Sequence, residues 1–109
     1  MKTPIGRFRI AEKIGADLSA GTIFQNRVPL DPSGPPPQSD DHVLSRILWL
    51  DGLEAHNSNT RDRFIYIHGT NHEDEIGQPA SHGCIRMKNA DLIEIFDQVP
   101  LDAEVIIEA

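Results

Sequence analysis

The chain has 109 residues, a formal net charge of −7 and a single cysteine. That length allows one domain that buries roughly two-thirds of its unfolded surface, and a lone cysteine excludes an intrachain disulfide. The acidic balance, with Lys and Arg scattered singly, argues against nucleic acid or an anionic membrane surface as a partner, and no segment has the apolar length of a transmembrane helix. Met1-Lys2-Thr3-Pro4 leads into a polar stretch, so no secretory signal is read in these residues.

Thr3-Pro4-Ile5-Gly6 reads as a turn feeding a half-buried strand over Arg7-Phe8-Arg9-Ile10-Ala11, where polar and apolar residues alternate. Gly15 and Gly21 punctuate the next stretch, and Thr22-Ile23-Phe24 suggests a second short strand. Residues 31–41 hold four prolines and a glycine, which excludes helix or central strand. Two readings of that loop stand, a solvated connector and a lid over a cleft. Val43 to Leu50 is rich in strand formers and runs into Asp51-Gly52, a two-residue hairpin signal, with Leu53-Glu54-Ala55 expected as the returning strand. Asn57 to Arg63 reads as a polar connector, and His42 and His56 as solvated surface. Phe64-Ile65-Tyr66-Ile67-His68 is the clearest strand, its apolar run fitting burial on both faces. One helix is expected at about residues 90–99: Asn89 as N-cap, Asp91 at the positive end of the dipole, and Leu92, Ile95, Phe96 and Val99 as the apolar stripe, stopped by Pro100. Glu104 to Glu108 closes as a strand. The sum is a mainly β domain with one packed helix.

The chemistry concentrates in Ser81-His82-Gly83-Cys84-Ile85-Arg86-Met87 and in His68-Gly69 upstream. A lone cysteine is often an apolar filler, but here two imidazoles are close in sequence and a glycine precedes the thiol. Imidazole lowers the cost of making the thiolate, and the glycine allows a substrate carbonyl to approach. His68, at the exit of a buried strand, is either a satisfied core residue or a presented base. His82, two residues before Cys84, shares its face in an extended segment, so both histidines are candidate bases. His68, His72, His82 and Cys84 are also conceivable zinc ligands. Gly69 and Asn71 break any helix that would join His68 to His72, and structural zinc sites use more thiolates, so no metal is expected.

These residues resemble the L,D-transpeptidase catalytic domains of the YkuD family. That signature is a histidine, roughly fourteen residues, then Ser/Thr-His-Gly-Cys, a hydrophobic residue and Asn or Arg. Thr3 to Phe8, Ile47 to Glu54 and Tyr66 to Asn71 match further blocks, so the resemblance runs from Thr3 to the last strand. It implies a β-sandwich with a small helix, a catalytic domain over 3–108, and acyl transfer on peptidoglycan stem peptides without a cofactor. Cys84 is then the nucleophile and His68 the base, oriented by the Gly69 carbonyl. Gly83 and Cys84 N–H groups form the oxyanion hole, His82 shapes the pocket, and Ser81, Tyr66 and Arg86 contact substrate or the local backbone. Arg86, two residues past Cys84, is expected to bind a stem carboxylate, with a structural salt bridge as the alternative.

By the same resemblance the location is the bacterial cell envelope. The acceptor is a neighbouring stem amine, a lipoprotein amine, or water in a carboxypeptidase. A wall-peptide binding module and a poorly folded remnant are the competing readings. Relatives carry at least one more strand before the Thr-Pro-x-Gly turn, where this chain offers only Met1-Lys2, so an uncovered sheet edge is expected.

Overall fold

A computed structural model of the chain describes residues 4–31, 33–35, 42–76 and 84–108. Its elements in order are β1 (Gly6–Ile14), β2 (Ile23–Gln25), β3 (Val28–Pro29), β4 (Val43–Gly52), β5 (Tyr66–Gly69), β6 (Ile85–Met87), α1 (Asn89–Gln98) and β7 (Glu104–Ile107). The domain is mainly β with a single α-helix among the described residues, as expected, and is consistent with a small β-sandwich. The seven strands form one hydrogen-bonded sheet. Within it β4 pairs with β1, with β2 at its first residues and with β5, while β7 flanks β1 and β6 flanks β5. Every pairing is antiparallel except β5 with β6.

The sheet buries apolar side chains on both faces. Phe8, Ile10, Leu48, Leu50 and Ile65 pack on one face under Leu92 and Phe96 of α1. Phe24, Ile47 and Tyr66 form a second cluster, with Ile14, Leu18, Val43, Trp49 and Cys84 against it. A bulge in β1 shifts the register between Ile10 and Glu12. One extra residue reverses which face each later side chain meets. Lys13 thereby reaches the helix side, where its Nζ lies 4.6 Å from the Phe96 ring centre and donates to the Val99 carbonyl at the helix end. Ile14 instead joins the second cluster. Strict alternation therefore ends at Ala11 in the sequence, although the strand continues to Ile14.

Several expectations are corrected. Asp51-Gly52 is not a hairpin turn: both residues stay in β4, paired with Arg9 and Phe8. Leu53 to Ala55 does not return as a strand but leads into a 3-10 turn, Ala55–Asn57. Gly52 is required for proximity, since a Cβ there would sit 1.9 Å from the Asn57 carbonyl oxygen. Asn57 itself is more than connector. It is buried, accepts from the Glu54 N–H at 2.9 Å, and donates to the Ile5 and Arg7 carbonyls, each at 3.2 Å.

Strand and helix ends are corrected as well. β5 begins at Tyr66 rather than Phe64, because Phe64 is an exposed turn residue with φ of 57°. α1 spans nearly the expected residues, but its N-cap position is Lys88, and Asn89 is the first helical residue. The cap is supplied from elsewhere: Glu73 Oε2 accepts from the Asn89 N–H at 2.7 Å. Ile95 stays exposed, so the buried stripe is Leu92 and Phe96 with Val99 at its margin. The proline-loop expectation falls largely on 32 and 36–41, outside the described residues.

Gly52→Ala should reduce the unfolding free energy by about 1–3 kcal/mol, the usual cost of forcing an atom into a filled site. Urea denaturation measures it, and an unchanged midpoint would mean that the Asn57 loop yields freely.

Candidate active site

Parallel pairing sets Ile67 beside Ile85, His68 beside Arg86 and Gly69 beside Met87. Side chains alternate along each strand, so Ile67, Ile85 and Met87 enter the helix-side core. Tyr66, His68, Cys84 and Arg86 therefore share the opposite face. Cys84 and Tyr66 both belong to the second apolar cluster. His68 lies about 7 Å along the strand direction from that Cys84–Tyr66 level, one repeat of the pleat, within reach of a long side chain.

Cys84 is half-buried. The Tyr66 N–H donates to its Sγ at 3.4 Å, and the Sγ–H donates to the Phe64 carbonyl at 3.3 Å. Two backbone groups of the segment entering β5 thus fix where the sulfur sits.

His68 is buried, and its Nδ1 lies 2.6 Å from the Gly69 carbonyl oxygen. A carbonyl only accepts, so Nδ1 carries the proton and a neutral ring keeps its lone pair on Nε2. This is the tautomer that a general base needs. Gly69 is closed in on its other side. A Cβ there would lie 2.0 Å from Asn89 Oδ1 and 2.7 Å from the Leu44 carbonyl oxygen. Asn89 in turn donates to the Thr70 carbonyl at 2.8 Å and accepts from Ser45 Oγ at 2.6 Å. The end of the histidine strand is thus tied to the helix start and to the β4 bulge at Ser45.

Tyr66 packs edge-on against Trp49, ring centres 5.6 Å apart, and Phe64 lies 5.9 Å from Trp49. Burial pushes the Tyr66 phenol above its ordinary pKa, against a downward pull from Arg27. Arg86 Nη2 donates to the Glu75 carbonyl at 3.3 Å, which places it over the segment following β5. His72 turns to Glu75, Nδ1 to Oε2 at 3.3 Å. Ser81, His82 and Gly83 lie outside the described residues.

Sequence reasoning missed Arg27. It sits in the β2–β3 hairpin, whose turn residues Asn26 and Arg27 both have positive φ, 51° and 66°. Asn26 between two short apolar stretches was the available signal, obscured because Arg stands where such turns favour Gly.

A conserved-domain comparison decides the family. The YkuD profile, described as the L,D-transpeptidase catalytic domain, matches residues 1–107. The chain belongs to this family. It is similar to YqjB of Bacillus subtilis strain 168, provisionally named an L,D-transpeptidase, at 42% identity over 59 residues, 54% of this chain and 32% of that protein. It is also similar to YbiS of Escherichia coli K12, 44% identical over 43 residues, covering 39% of this chain and 14% of that one. YkuD of Bacillus subtilis strain 168 is 51% identical over 41 residues, 38% of this chain and 25% of the relative. The similar stretches thus span about a third or less of each of these relatives.

In this L,D-transpeptidase-family domain, Gly69→Ala should lower stability by about 1–3 kcal/mol through collision with Asn89. Thermal melts would read it, and an unchanged midpoint would show that the Asn89 junction can move.

Proposed function

We propose that the domain is a cysteine acyltransferase that forms 3–3 crosslinks between peptidoglycan stem peptides in the bacterial cell envelope, with residues 3–108 as its catalytic domain. The observation that carries the reading is the His68 tautomer on the same sheet face as the only thiol.

His68 Nε2 takes the Cys84 proton, and the thiolate attacks the carbonyl of the third stem residue. The tetrahedral oxyanion accepts from the Gly83 and Cys84 backbone N–H groups, a donor pair in which each member is typically worth on the order of a hundredfold in rate. The bond to the terminal D-alanine then breaks, and the imidazolium gives its proton to the leaving amine. A thioester remains on Cys84. An amine of a neighbouring stem, or of a lipoprotein, attacks it, loses its proton to His68 and releases the thiol. Water in place of the amine gives carboxypeptidase activity by the same steps. Gly69 orients His68, His82 shapes the pocket, and Ser81 holds the local backbone. Tyr66 and Arg86 contact the donor, Arg86 through a carboxylate.

Intact mass after incubation with a carbapenem tests the nucleophile. The expected result is one adduct on the parent and none on Cys84→Ser. No adduct on a chain that melts cooperatively would overturn the reading. Arg86→Ala should raise KM for a carboxylate-bearing donor by about tenfold or more, the scale of a charged hydrogen bond. An unchanged KM with a lowered melting point would assign Arg86 to structure alone.

A further inference from the structure

On the reading above, which this inference extends, Arg27 has contacts at the site but no counter-charge among the described residues. Arg7 pairs with Glu104, Arg9 with Asp51 and Asp102, and Arg61 with Glu12. Arg27 pairs with no carboxylate among the described residues. Its Nη1 donates to Tyr66 Oη at 2.8 Å, and its guanidinium carbon lies 4.6 Å from the Phe64 ring centre and 5.1 Å from that of Trp49. A phenol and two ring faces orient a guanidinium without neutralising it. Among the described residues one of its five N–H groups is used, which leaves donors for a ligand.

The two residues that seat Arg27 also hold the nucleophile. Tyr66 donates its N–H to Cys84 Sγ, and Phe64 offers its carbonyl to the same sulfur. Arg27 is therefore about one tyrosine side chain from Cys84, and the Tyr66 phenol responds to both charges. The backbone makes the same point. Arg27 sits at φ of 66°, a conformation that strains an L-residue and that glycine adopts freely.

We propose that Arg27 is a specificity residue that binds a free carboxylate of the donor peptide beside Cys84. The planar fork meets a carboxylate through two parallel hydrogen bonds, and in a chain of net charge −7 an unneutralised guanidinium is the local exception that attracts an anion. Arg61 is unsuited, being paired with Glu12. Arg46 is unsuited too, since it lies over Phe96 on the helix side.

Trp49 is the only tryptophan and touches Arg27, so its fluorescence reads binding without turnover. Synthetic stem tetrapeptides, one with all carboxylates free and others with each singly converted to carboxamide, would be titrated into the Cys84→Ala chain with Arg27, Arg27→Gly or Arg27→Lys. Arg27→Gly suits the positive φ, so the turn is retained. It should weaken the free-acid peptide about ten- to a hundredfold, and one carboxamide peptide should bind both forms equally. Arg27→Lys, with charge but no fork, should fall between. Equal weakening for every peptide, or none, overturns the inference. So does absence of peptide binding by a chain whose parent forms the carbapenem adduct, whereas a missing adduct overturns the acyltransfer reading instead.

Discussion

The candidate site depends on one piece of backbone pairing, the parallel ladder between β5 and β6. The two strands are separated by 15 residues, from Gly69 to Ile85, so their side chains meet only because the ladder holds them in register. A slip of one residue would send Cys84 and Arg86 into the helix-side core and bring Ile85 to the face that His68 occupies. A slip is resisted by packing: Ile67, Ile85 and Met87 are all partly buried against the same core. Hydrophobic burial on one face thus decides which side chains meet on the other.

That ladder is secured at its end by Asn89. Its amide joins Thr70 after β5 to Ser45 in the β4 bulge, and its backbone N–H is capped by Glu73. The absent side chain of Gly69 allows the contact. The Gly69 carbonyl then remains available to His68 Nδ1. Helix start, sheet bulge and imidazole tautomer are parts of one hydrogen-bonded junction, so the space left by Gly69 and the orientation of the His68 ring are inseparable here.

Much of this was legible in residue order. Apolar runs at β4 and β5, the Leu92–Phe96 spacing of α1 and the Glu104–Ile107 strand follow from burial patterns that sequence carries directly. The errors have local causes. Asp51-Gly52 looks like a turn because both residues suit positive φ, yet Arg9 pairs with Asp51 and Asn57 needs the space above Gly52. Asn89 looks like a cap because its side chain suits one, but Ser45 and Thr70 engage that side chain and a distant glutamate takes the role. The β2–β3 hairpin was hidden because its turn carries Arg27 in a glycine conformation.

The sequence by itself determined the family, the single thiol, the histidine–glycine pair and the mainly β character, because each rests on residue identity or on periodicity along the chain. Only the tertiary structure decided which face the thiol shares, which imidazole nitrogen is left basic, and that Arg27 stands beside Tyr66 and Phe64. Those depend on register, on bulges that reverse side-chain direction, and on contacts between residues tens of positions apart. None of these has a signature in local order.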